Sequence, residues 1–101
     1  MAFENGAFSA TLAAAAGDDA ALHAELRLAF KESVAQQVDL LSRARCDGNW
    51  IVAAQRIKGL AASFHAEPLM LLAEEALETA PGDPVILRKL NSFLVDFDSE
   101  D

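Results

Sequence analysis

The apolar residues of this chain recur at helical spacing between clear stop signals, and that combination leaves little room for anything but packed helices. Trp50, Ala53, Ile57, Leu60 and Phe64 follow the spacing i, i+3, i+7, i+10, i+14. This is the stripe of a helix that buries one side along its length. Breaks fall at Gly17, Asp47-Gly48, Glu67-Pro68 and Pro81-Gly82, dividing the chain into five helical segments. The composition agrees: Ala and Leu dominate, Tyr is absent, and only three Pro and five Gly occur in 101 residues. Such a mixture favours helix over strand.

The first segment runs from about Phe8 to Ala16 and stops at Gly17, a helix-ending residue. Asp18 or Asp19 caps a long second helix reaching about Arg45. Its expected stripe is Leu22, Leu26, Ala29, Phe30, Leu40, Leu41 and Ala44. Asn49 is the expected cap of a third helix over 50–65. Pro68 suits the first position of a fourth helix, with Leu69, Leu72, Ala73, Ala76, Leu77 and Ala80 inward and Glu74, Glu75 and Glu78 on a solvated face. Asp83 and Pro84 are the cap and first residue of a fifth, with Ile86, Leu90, Phe93 and Phe97 as its inner stripe. The expected architecture is all-α: an up-down four-helix bundle with an additional short N-terminal helix closing one end. Residues 1–101 make one domain, its bundle core at about 18–95, followed by a frayed acidic tail at 96–101.

The net charge of −8 argues against nucleic acid and anionic membrane, which both want a basic face. No apolar run approaches the ~20 residues of a transmembrane helix, and Met1-Ala2-Phe3-Glu4 lacks the basic start of a signal peptide. The single cysteine, Cys46, cannot form an internal disulfide, which fits a reducing cytoplasm. No His or Cys spacing supports a metal site, no phosphate-binding loop or nucleophile elbow is present, and no cofactor is expected.

The side of the third helix opposite its apolar stripe is unusual. Placed on a wheel at about 100° per residue, Ile51, Val52, Lys58, Gly59 and Ala62 fall within about 60° of Gln55. An ordinary solvated face carries Glu, Lys and Gln there. This one carries two β-branched residues, an alanine and a glycine that costs a helix about 1 kcal/mol relative to alanine. The face either packs on another helix, in the same chain or in a homodimer, or is a patch where a partner docks. Arg56 and Lys58 add a small basic island suited to an acidic partner. Ser33 and Gln37, near the inner stripe of the second helix, are placed to touch Gln55 if the second and third helices are neighbours.

The run Ala54-Gln55-Arg56-Ile57-Lys58-Gly59 resembles the core motif of histidine phosphotransfer (HPt) domains, Ala-His-x-Leu-Lys-Gly. The similarity spans about residues 18–95 and includes the following Ala66-x-x-Leu69 helix with Glu74 and Glu75. In that family the histidine is exposed on the third helix, the lysine three residues on neutralises phosphoryl charge, and the next glycine leaves room for a receiver domain. Lys58 and Gly59 match those positions, and Ile57 replaces leucine conservatively. Gln55 stands where the histidine should be, and His65 stands where the family usually has glycine. A histidine ring nitrogen offers a free lone pair near neutral pH; an amide nitrogen is only a donor.

The resemblance therefore implies an HPt-like module of a two-component phosphorelay. It would dock a response-regulator receiver domain or a histidine kinase through Ile51, Val52, Gln55, Arg56, Lys58, Gly59 and Ala62, without itself carrying phosphate. The alternatives are phosphotransfer through another histidine, His65 in preference to His23, and a non-enzymatic structural helical dimer.

Overall fold

The computed structural model describes residues 6–99, and all regular structure among them is helical. The elements are α1 (Gly6–Ala16), α2 (Ala20–Arg43), α3 (Asp47–Phe64), α4 (Glu67–Leu77) and α5 (Pro84–Ser99). Packing joins α2 to α3, α3 to α4, α4 to α5 and α5 back to α2, while α1 lies against α2 and α3. The particle is elongated, 44 × 26 × 17 Å.

Two side-chain caps and a glycine set the starts of α2 and α5 and the end of α1. Asp19 accepts a hydrogen bond from the Leu22 backbone N–H and opens α2. Asp83 does the same for Ile86 at the head of α5. Each satisfies one of the backbone donors that a helix start leaves unpaired. Gly17 ends α1 in the left-handed region, at φ 62°, a conformation that glycine adopts without steric penalty.

Three boundaries differ from the sequence expectation. α2 ends at Arg43, because Ala44 turns extended (φ −66°, ψ 132°) and tucks its methyl into the core. α3 starts at Asp47, so Cys46 occupies the cap position and Asn49 lies inside the first turn. Gly48 is tolerated there, and the Asp47 carboxylate favours the positive end of the helix dipole. Glu67 takes the first position of α4, leaving Pro68 at the second and Ala80 beyond the helix and exposed.

The α2 stripe is corrected too. Leu22, Ala29 and Leu40 are exposed, and the buried line is Phe30, Val34, Val38 and Leu41 with Leu26 half-buried. Steps of four, then three, keep those residues on one side of a helix; Val34 and Val38 lie in the register of Phe30, whereas Leu40 is turned about 100° from Leu41.

The core is apolar throughout, with no buried polar or charged residue among those described. At one end Phe8, Phe30, Phe64 and Phe97 cluster, with ring centroids 4.8 Å apart for Phe8–Phe30 and 4.9 Å for Phe30–Phe64. Such tilted contacts are worth about 0.5–1.5 kcal/mol each beyond burial. Phe8 and Leu12 are fully buried, so α1 belongs to the core instead of merely closing an end. The C-terminal segment is also held more firmly than a frayed tail: α5 continues to Ser99 and Phe97 is buried. The Arg27 guanidinium stacks over the Phe97 ring at 4.0 Å and donates to the Phe97 carbonyl at 2.7 Å, while Lys31 pairs with Asp98 at 3.4 Å. Glu100 and Asp101 of the expected tail lie outside the described residues. Among the described residues no helix is long and apolar enough to cross a membrane.

Candidate functional site

α3 is fixed from its inner side. Trp50, Ala53, Ala54, Ile57 and Ala61 are buried, and Leu60 and Phe64 pack against them half-buried. The Trp50 indole N–H donates to the Ala76 carbonyl of α4 at 2.8 Å. That satisfies the one polar group the indole brings into the core. With this side locked, the rotation of α3 is set and its other side must face outward.

The outward side carries the residues singled out by sequence. Ile51 and Val52 are 40 % and 46 % exposed. Gln55, Arg56, Gly59 and Ala62 are exposed and Lys58 is half-buried. A methyl group built on Gly59 would meet nothing within 4 Å. The glycine therefore answers no packing demand within the chain. Together these residues form a partly apolar surface along α3.

The basic island is not a pair of equivalent charges. Lys58 forms a 3.5 Å ion pair with Glu74 of α4. Glu75 is bound to Lys89 of α5 through both oxygens, at 3.0 and 3.1 Å. Glu74 and Glu75 are half-buried braces between neighbouring helices, which corrects the reading of them as a solvated face; Glu78 is exposed. Arg56 has no ion-pair or hydrogen-bond partner among the described residues. The two cations also lie on opposite edges of the face, about 160° apart on the wheel, Lys58 toward α4 and Arg56 toward α2.

Ser33 and Gln37 do approach α3, but beside Arg56 and Gly59: these residues line one groove between α2 and α3, which Gln55 does not line.

His65 closes α3. Its backbone is left-handed (φ 57°, ψ 38°) and its N–H returns to Ala61 and Ala62. This is the helix-ending conformation that usually selects glycine, so the departure at His65 is a strained version of the same cap. The His65 Nδ1 lies 2.8 Å from the Thr11 hydroxyl, which itself donates to the Ala7 carbonyl at 2.9 Å. The single Thr11 hydroxyl proton serves either Ala7 or His65, so the direction of the Thr11–His65 bond follows the imidazole tautomer. His23 is half-buried near the start of α2. No cluster of three or more His, Cys, Asp or Glu among the described residues could hold a metal.

Comparison with known proteins returns no family model, no curated protein and no solved structure that matches the chain.

Proposed function

We propose that this chain is an HPt-like docking module that binds a receiver domain or a histidine kinase and does not carry the phosphoryl group. In this reading α2 to α5 form the up-down four-helix bundle, and α1 packs on α2 and α3 and adds Phe8 and Leu12 to its core. The observation that carries the proposal is the outward face of α3, where Gln55 is exposed at mid-helix beside two exposed β-branched residues and the open space over Gly59. The amide of Gln55 supplies hydrogen bonds of roughly histidine reach, but its nitrogen is no nucleophile. The Lys58–Glu74 pair adds that the lysine retained from the motif here braces α3 against α4.

The test is binding to a panel of purified receiver domains and histidine kinase domains, comparing the natural chain with Gly59→Arg. Open space above Gly59 lets the arginine stand without disturbing the fold, so helical content by circular dichroism stays unchanged while binding is lost. Undiminished binding of Gly59→Arg would remove this face from the proposal.

A second reading has one observation in its favour. His65 is exposed, and its Thr11 bond engages Nδ1, so Nε2 is the ring nitrogen left for a phosphoryl group. It lies about 15 Å along the helix axis from Gln55, so this reading abandons the Lys58–Gly59 surroundings. It predicts acid-labile phosphate on the natural chain that disappears in His65→Ala.

A further inference from the structure

Two grooves flank α3 on its α2 side and meet at Arg56. One, of about 480 Å³, is lined by Leu40, Arg43, Asn49, Val52 and Arg56 among others. The next, of about 440 Å³, is lined by Ser33, Gln36, Gln37, Arg56, Gly59 and Ser63 with Leu60. They share Arg56, and none of the residues lining this seam between α2 and α3 is acidic. In a chain of net charge −8 that is a marked local departure. By contrast, both grooves beside α5 include Asp96.

Three details make the seam more than a gap between helices. Arg43 is partly neutralised by Asp39 at 3.4 Å, but Arg56, at the junction, is uncompensated among the described residues. The Oε1 atom of Gln37 is buried and has no hydrogen-bond partner; a buried acceptor without a donor is uncommon and unfavourable. Gly59 leaves its stretch of the wall without a side chain, so a second backbone can come close.

We infer that the α2–α3 seam is a binding groove for an acidic polypeptide segment of the partner, whose carboxylate meets Arg56 and whose N–H donor satisfies Gln37 Oε1 once that side chain turns into the groove. Charge complementarity selects that occupant over a basic one. From Asn49 to Ser63 the seam follows α3 for about 21 Å, the span of about six or seven extended residues. The inference rests on α3 being a docking helix and adds to it the groove that takes the acidic partner and a second anchoring point at Gln37.

The test uses two probes. The first is a capped peptide of about eight residues with alternating Glu and Ser, titrated into ¹⁵N-labelled protein at low salt. The expected shifts centre on Ser33, Gln37, Arg56, Gly59 and Ser63, including the Gln37 side-chain amide. Arg56→Glu weakens binding about tenfold and Gln37→Leu about fivefold. Absence of binding, equal binding by Arg56→Glu, or the same shifts from a Lys/Ser peptide would overturn the inference. The second probe is phosphoryl transfer from phosphorylated receiver domains to Gln55→His, with and without Gln37→Leu, which lies in the seam and outside the α3 docking face. Slower labelling of the double variant supports the seam. Equal labelling rejects the seam and keeps α3 as a docking helix, whereas no labelling of Gln55→His rejects the docking reading and leaves the peptide titration to judge the groove.

Discussion

The two sides of α3 share eighteen residues of one helix and obey different rules. The inner side is a closed system: Trp50 is hydrogen-bonded to Ala76, and Ile57 and Ala61 are fully buried. The outer side is unfinished. Apolar Ile51 and Val52 stand in solvent, Gly59 borders open space, and Arg56 lacks a partner among the described residues. Burial energy explains every choice on the first side and almost none on the second. Residues that the fold does not require, held on a helix that the fold positions tightly, are the basis for reading the outer side as a contact surface.

Substitutions can break this contrast, beginning where the largest effect is expected. Trp50→Ala removes a buried indole and its hydrogen bond, and we expect a loss of about 3–5 kcal/mol in urea unfolding. A loss below about 1 kcal/mol, the scale of an ordinary surface change, would mean that the inner side does not anchor α3. The left-handed His65 gives a smaller effect that separates backbone from side chain. His65→Gly and His65→Ala both lose the Thr11 bond, yet the glycine variant should be about 1 kcal/mol more stable than the alanine one. Equal stabilities would show that the cap is not strained.

On the outer side the sign reverses. Gly59→Ala should stabilise the chain by about 0.5–1 kcal/mol, since the new methyl meets open space and the helix gains propensity. A destabilised Gly59→Ala would mean that the glycine serves the fold, and the contrast would weaken. Smallest of all is Lys58→Ala. Its pair with Glu74 is nearly half exposed on both partners, and exposed pairs contribute about 0–1 kcal/mol. A much larger loss in thermal unfolding would make Lys58 a structural residue before a binding one.

What could be read from sequence follows from the range of the forces involved. Helix identity came from local signals: the Asp19 and Asp83 caps, Gly17, and the seam through Trp50, Ile57 and Phe64. The exposed α3 face was legible for the same reason, because the wheel relates Gln55 to Ile51, Val52, Gly59 and Ala62 without any knowledge of neighbours. Contacts between helices were not. Nothing in the local sequence around Lys58 names Glu74, sixteen residues on, as its partner, or places the Thr11 hydroxyl beside His65. The acidic run after Asp96 looked unstructured because its holding groups, Arg27 and Lys31, are about seventy residues away. The start of α3 was misplaced because Asp47-Gly48 is a common turn signal that here falls just inside the helix.

The most direct test of the account is phosphoryl transfer from a panel of phosphorylated receiver domains to the natural chain and to Gln55→His. The account predicts no label on the natural chain and acid-labile label on Gln55→His, since the single change restores a nucleophile to the proposed docking face. Label on the natural chain, or none on Gln55→His across the panel, would contradict it.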